Sequence, residues 1–506
     1  MPGFAKELAQ SRPEEIALRD EVRVMSWRDV DDTLNAVANG LNEVDLGEAR
    51  RVAVFAENSV ETAMANLGGL IAGASVVPVN FHLNAEEVAY ILEDAAVKVL
   101  FADEHTVDRA LLAAGIAKVP EVIAWHTDNP GVTAWEPWLA GQIAGPADES
   151  RPPCPNLLYT SGTTGRPKGT ELPPTMFAGG ESIAEHLANL KGDPRAAQGV
   201  HMVVGPMYHT GPLSGARLLA AGVSSVILGR FDAEKTLKAI ADYKVSNSVM
   251  VPTHFVRLLA LPQAVKDKYD MSSLVGISHT GAKCPVDVKK AMIDWWGPVF
   301  LDAYGASEVG TTCMITSQEW LENPGSVGKA LPPFTALILD DDGNELPANE
   351  EGRLFFKDET GRGVIYHNDP EKSAAAHIAP GIFTLGEIAY MNEGGYVFIT
   401  DRFSDMVVSG GVNIYPAEAE QVLIEHPDIL DVACIGVPHP EMGEELKALA
   451  IAKDEASDPA EVLNWCRDRL SHYKCPRTLD WVDDLGRNTM GKINKLKLRA
   501  PFWESG

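Results

Sequence analysis

Two cations, four aliphatic hydroxyls and three glycines fall within eleven residues, Tyr159-Thr-Ser-Gly-Thr-Thr-Gly-Arg-Pro-Lys168-Gly169, directly after the apolar pair Leu157-Leu158. Glycines let backbone N–H groups curl around an anion, hydroxyls donate to its oxygens, and Arg166 and Lys168 neutralise it, so the composition suits a phosphate-holding loop. A plain surface turn needs neither so many hydroxyls nor a lysine. The P-loop pattern G-x-x-x-x-G-K-S/T is excluded, because Pro167 stands where its second glycine would be. A second segment, Tyr304-Gly-Ala-Ser-Glu308, offers an aromatic face for a purine, a glycine, a hydroxyl, and a carboxylate of the kind Mg²⁺ takes. Gly305-Ala-Ser307-Glu-Val309 lacks the second glycine of G-x-S-x-G, so no serine nucleophile elbow is indicated. Near the end, residues 471–500 hold seven Lys/Arg against three Asp, a local +4 that includes Lys492 and suits a polyanionic partner.

The elements that must position these residues follow a clear rhythm. Apolar β-type runs at 52–56, 75–79 and 98–101 alternate with helical patterns, at 60–72 and in a helix through 92 that Asn84 and Glu87 would cap. That alternation predicts βαβ units with a mostly parallel sheet, recurring at 223–228, 246–251 and 275–279, in one α/β body reaching about residue 330. Between 335 and 400 the runs are broken by Asp-Asp-Gly (341–343), Glu-Gly (351–352) and Gly-Gly (394–395), so an antiparallel, barrel-like piece is expected. After Asp401, helical patterns at 417–425 and 460–470 and strands at 432–437 and 448–453 predict a compact α+β unit of about 100 residues. The fold class is therefore α/β.

The bulk properties narrow the function. The 506 residues suffice for two or three domains, and 45% hydrophobic with 23% charged residues is a globular balance. With 43 basic and 71 acidic residues the net charge is −28, which disfavours nucleic acid or an anionic membrane surface as partner. Six cysteines without a C-x-x-C pair read as small buried apolar residues in a reducing cytoplasm. The amino terminus has no signal-peptide pattern and no stretch is long enough for a membrane span, so a cytoplasmic protein is expected, with a homodimer as the base-rate assembly.

Taken in order, the segments between about 159 and 495 resemble the adenylate-forming superfamily of acyl-CoA synthetases, luciferases and peptide-synthetase adenylation domains. The resemblance implies a large N-terminal domain (1–400) of parallel α/β sheets plus the barrel-like piece, and a small mobile C-terminal lid (401–506) hinged at Asp401. It assigns the nucleotide's phosphates to Thr160, Ser161, Gly162, Thr163, Thr164, Gly165 and Lys168, and its adenine side to Gly281, Ala282 and Lys283 together with Asp302, Ala303, Tyr304, Gly305, Ala306 and Ser307. Thr160 and Glu308 would hold Mg²⁺. Ile399 and Arg402 would border the nucleotide, and Lys492 would bridge the acid's carboxylate and the α-phosphate. Glu387 stands where the family has an aspartate on the ribose, and Ser404 where it usually has lysine. Tyr208, His209, Val251 and Gly281 are the acyl-pocket positions, and Ser409, Gly410 and Gly411 meet the pantetheine of CoA.

The implied activity is a magnesium-dependent acid–thiol ligase that converts a carboxylic acid and ATP to acyl-AMP and pyrophosphate, then forms the CoA thioester. Lys492, Glu308, Thr160 and His209 are its expected catalytic residues. The segment 211–216 offers no acid for a substrate amine, and the candidate pocket segments 177–180, 207–214 and 251–255 carry little charge. An apolar acid, fatty, aromatic or polycyclic of the steroid type, is therefore expected. Two alternatives stay open: a carrier-protein phosphopantetheine as acceptor, and a non-catalytic nucleotide- or acyl-CoA-binding paralogue, for which Glu387 and Ser404 are the support.

Overall fold

The computed structural model describes residues 4–143, 145–160, 167–173, 179–282, 284–340, 342–402, 406–486, 493 and 495–503. The first α/β layer is a five-stranded, all-parallel sheet in the order Ser75–Pro78, Arg51–Phe55, Val99–Ala102, Glu121–Ala124, Thr133–Ala134. Both faces are covered. Val52 and Val54 point into one apolar cluster with the helices Trp27–Glu43 and Val60–Ile71, while Ala53 and Phe55 point into another with the helices Ala85–Asp94 and Val107–Ala117. Burial on both faces explains why these strands read as unbroken apolar runs. Every residue of the helix Val60–Ile71 is buried. It packs so tightly on the helix Trp27–Glu43 that a Cβ on Gly68 would lie 2.3 Å from Val37 Cγ1.

A nine-stranded sheet follows, ordered Lys329–Ala330, Gly310–Thr316, Phe300–Ala306, Gly276–His279, Val245–Met250, Val200–Val203, Ser225–Ile227, Ile16–Arg19, Val24–Ser26. Its middle is parallel and both edges are antiparallel. The single α/β body expected to residue 330 is thus two sheets sharing one apolar cluster, in which Val203 and Ile227 join the helix Val60–Ile71. The strand Ile16–Arg19 pairs with Ser225–Ile227 across more than two hundred residues, and periodicity gives no sign of that partnership.

The antiparallel piece is a six-stranded sheet built from Phe334–Leu339, Gly352–Asp358, His377–Ala379, Ile382–Phe383, Glu387–Met391 and Val397–Arg402. Gly395, with φ of 77°, turns the last hairpin as expected. Gly352 opens a strand instead of lying in a turn, and only glycine fits there without a shift, because a Cβ would meet the Leu339 carbonyl oxygen at 2.6 Å. The C-terminal unit packs the helices Pro416–Leu423 and Pro459–Arg467 on a five-stranded sheet of Val407–Ser409, Val412–Ile414, Ile429–His439, Gly443–Ala452 and Thr478–Trp481. Its own core includes Val407, Leu423, Leu446 and Val462. Five of the six cysteines are buried and all six are free thiols. No helix of the described residues is long and apolar enough to cross a membrane.

Candidate active site

The hydroxyl-and-glycine segment is carried by a two-stranded antiparallel hairpin, Leu157–Thr160 against Lys168–Glu171, with Thr160 directly opposite Lys168. Its tip, Ser161, Gly162, Thr163, Thr164, Gly165 and Arg166, lies outside the described residues. Lys168, largely buried, pairs with Asp369 at 3.3 Å. Beside it opens a polar cavity of about 330 Å³ lined by Tyr90, Asp94, Lys168, Gly169, His367, Asn368, Asp369 and Gln421. Thr170 bridges to Tyr366, which ties this hairpin to the strand region that follows the third sheet's first pair.

Tyr304 and Glu308 belong to a second hairpin, Phe300–Ala306 against Gly310–Thr316, with Ser307 and Glu308 at its turn. Ala303 and Ala306 face Met314 and Gly310 across it. Gly305 is glycine for a reason internal to the hairpin: its Cβ would stand 1.9 Å from the Gly310 carbonyl oxygen. The Tyr304 ring packs 6.3 Å from that of Phe356. Glu308 lies near the Tyr366 hydroxyl, Lys372 and Glu387; burial raises its pKa and the Lys372 ammonium opposes that rise. Lys372 sits 4.1 Å from the centre of the Tyr366 ring, and burial together with neighbouring Lys168 pushes its ammonium down to about 8. The two hairpins therefore meet through Tyr366 and Lys372. Asp302 is committed elsewhere: its carboxylate bonds the buried Lys289 at 2.9 Å and lies 3.6 Å from His279 Nδ1. Its side chain therefore anchors the strand to the helix Val286–Trp296.

Glu387 is buried, and its backbone stands opposite Arg402, with Ile388 opposite Asp401 and Ala389 opposite Ile399. The proposed ribose, nucleotide and hinge positions thus share one hairpin, although Ser404 lies outside the described residues.

On the nine-stranded sheet, His209 precedes the helix Thr210–Ala216, its ring 4.3 Å from that of Tyr208. Burial, helped by the imidazole of His82, pushes His209 down to about 4. A Cβ on Gly211 would lie 3.0 Å from Val249 Cγ1 and 3.8 Å from Thr280 Cγ2, so this turn abuts the strand ends that present Val251 and Gly281. Gly281, at φ of 85°, leads into Ala282, while Lys283 lies outside the described residues.

The glycine hairpin of the C-terminal unit closes on these strand ends. A Cβ on Gly411 would be 3.3 Å from Val251 Cγ1, and one on Gly281 would be 3.9 Å from the Gly411 carbonyl oxygen. Ser409 is buried, paired with Val412 and Gly443, and the Gly410 N–H donates to the Met442 carbonyl at 2.8 Å. Arg257 and Glu441 pair across the same junction at 2.5 Å. Lys492 lies outside the described residues. Tyr366, Asp369 and Lys372 fall outside the motifs; the aromatic, acidic and basic residues from Tyr366 to Lys372, around the capped start of the helix Pro370–Ala375, are the sequence signal that points to them.

A family model described as AMP-binding enzyme matches residues 5–363, and one described as AMP-binding enzyme C-terminal domain matches 418–492. The chain belongs to the AMP-binding enzyme family. A feruloyl-CoA synthase from Amycolatopsis sp is 30% identical over 98% of this chain and 97% of its own length. A long-chain-fatty-acid–CoA ligase from Mycobacterium tuberculosis is 29% identical over 94% and 93%. Among solved structures, o-succinylbenzoate CoA synthetase from Bacillus subtilis superposes over 99% of this chain in two complexes. With a CoA product analogue it covers 98% of that chain at 22% identity and a TM-score of 0.80. With its acyl-adenylate intermediate the figures are 98%, 23% and 0.65. At 22% and 23% identity, both likenesses are of fold.

Proposed function

We propose that this chain is an ATP-dependent, AMP-forming acid–CoA ligase that activates an apolar carboxylic acid. The observation that carries the reading is the seating of Gly410–Gly411 on Val251 and Gly281, which brings a hairpin turn without side chains to the strand ends that the His209 segment abuts. A turn without side chains lets the backbone approach a thin ligand arm such as pantetheine closely. The match to family members named as aromatic and fatty acyl-CoA ligases supports the same chemistry.

In the first step a carboxylate oxygen of the substrate bonds to the α-phosphorus of ATP, and the bond to the β-phosphate oxygen breaks, releasing pyrophosphate. The substrate supplies the nucleophile, so the protein's part is positioning and electrostatics. Thr160, the 161–165 segment and Lys168 would hold the phosphates, with Asp369 yielding Lys168 to them. Glu308 and Thr160 fit magnesium, since that small hard cation is commonly bound by one or two protein oxygens with phosphate and water completing the shell. When bound it would offset charge on the polyphosphate. Tyr304 and the 281–283 loop would border adenine, Glu387 and Arg402 the ribose, and Lys492 the reacting carboxylate and α-phosphate. His209, neutral at pH 7 because burial holds it near 4, would line the acyl entrance without adding charge.

In the second step the C-terminal unit turns about Asp401, withdraws Lys492, and presents Ser409–Gly411 to CoA. The thiol sulfur bonds to the acyl carbon, its proton is lost, and AMP leaves. The contact of Gly411 with Val251 and Gly281 supports the present arrangement as this second one. Turnover with ATP, magnesium, CoA and a panel of fatty, aromatic and polycyclic acids tests the proposal. It predicts AMP and acyl-CoA in equal amounts with at least one acid; ADP as product, or thioester only on a holo-carrier protein, would contradict it.

A further inference from the structure

Away from the reacting groups, one lysine joins the two units through buried charge. Lys474, in the turn His472–Lys474 of the C-terminal unit, has a side chain 1% exposed. Its Nζ is 2.7 Å from Glu418 Oε2 and 2.9 Å from Glu87 Oε1. Glu418, also buried, belongs to the helix Pro416–Leu423 that immediately follows the glycine hairpin. Glu87 belongs to the other body, at the third position of the helix Ala85–Asp94, where it accepts from the Asn84 backbone N–H at 3.0 Å and completes a capping box. Its Oε2 also accepts from the Ser471 hydroxyl, and nearby Asn80 donates to the Tyr473 hydroxyl at 3.1 Å. Every oxygen of Glu87 is therefore engaged, and two of its partners are on the other unit.

A buried lysine between two carboxylates adds little stability compared with apolar packing, yet losing one partner is costly, so such a group selects one arrangement over others. Lys474 and Glu418 ride on the same unit and stay paired wherever it goes. Glu87 keeps its cap with Asn84 whether or not the unit is docked. Of the contacts Glu87 makes, those with Lys474 and Ser471 are the ones that join the two units, and the helix that Lys474 holds through Glu418 follows the glycine hairpin seated on Val251 and Gly281. We propose that Glu87 is a positioning residue for thioester formation, which holds Lys474 and Ser471 so that Ser409–Gly411 stays seated over the acyl pocket. The proposal rests on the two-arrangement reading above.

Glu87→Gln is the clean variant, because glutamine at this helix position still caps Asn84 while losing the charge that faces Lys474. Single-turnover rates are measured for the two half-reactions separately: pyrophosphate release from ATP and acid without CoA, and thioester formation from pre-formed acyl-adenylate with CoA. The expected result is a thioester step slowed about tenfold, with adenylation unchanged or faster, and Ser471→Ala moving the same step in the same direction. Equal slowing of both steps would reduce Glu87 to a fold-stabilising residue, and no change in either would remove its role; each outcome overturns the proposal. If the unaltered protein releases no pyrophosphate with any acid, the ligase reading has failed instead.

Discussion

Gly305→Ala probes whether the hairpin that presents Glu308 acts as a rigid arm. The added methyl carbon would lie 1.9 Å from the Gly310 carbonyl oxygen, 2.8 Å from its carbon and 2.9 Å from Thr311 Cα. Carbon and carbonyl oxygen approach no closer than about 3.3 Å even in favourable C–H···O contacts. The facing strand must therefore retreat by more than about 1 Å, and it is backbone, with no flexible side-chain end to swing aside. Overpacking of this kind costs about 1–3 kcal/mol of stability. A displacement of about 1 Å at a catalytic group can cost roughly a hundredfold in rate, equivalent to about 2.7 kcal/mol of barrier. Acid-dependent pyrophosphate release should thus fall by about two orders of magnitude, with a measurable drop in the unfolding midpoint. Gly192→Ala, where nothing lies within 4 Å, is the control and should change neither. A Gly305→Ala protein with unaltered midpoint and a rate within a few-fold of the parent would refute the rigid-hairpin argument.

Other expectations concern charge and the C-terminal unit. Lys492→Ala should slow adenylation by about a hundredfold or more, the usual loss for one contact to developing charge, while thioester formation from supplied acyl-adenylate persists; equal loss of both would count against a lysine that withdraws between steps. Lys289→Met leaves the largely buried Asp302 carboxylate without its 2.9 Å partner and should cost up to about 3 kcal/mol in denaturant unfolding; removing Asp302 as well, by Asp302→Leu, should recover most of it. Burial holds His201, His209 and His279 near 4 and His254 near 3. These folded-state values lie below the unfolded value of about 6.5, so the unfolded chain binds more protons as the pH drops. The stability they contribute is complete above about pH 6.5 and is lost as pH falls toward 4, by up to about 1.4 kcal/mol per pH unit for each group. An unfolding midpoint that stays flat from pH 6.5 to 5 would contradict this.

Local rules were the ones the chain advertised. Asn84 and Glu87 announce their helix because a capping box is written in four residues, and the doubly covered strands announce themselves because both faces are apolar. What stayed hidden depends on residues far apart in sequence. Glu87 looks like a cap and nothing more until Lys474 arrives from the other unit. Asp302 looks like part of a ligand segment, yet Lys289 claims its carboxylate from a neighbouring helix. Gly305 reads as room for a nucleotide, whereas the partner strand already requires it. Tyr366 and Lys372 gain meaning only when the fold brings Lys168 and Glu308 to them.

The central claim is that a substrate carboxylate attacks the α-phosphorus of ATP and releases pyrophosphate before CoA takes part. Exchange of labelled pyrophosphate into ATP tests it most directly, in the presence of a carboxylic acid that supports turnover and in the absence of CoA. The account predicts label in ATP that depends on the acid and disappears without it. Thioester formation from that acid with no label entering ATP would contradict the account.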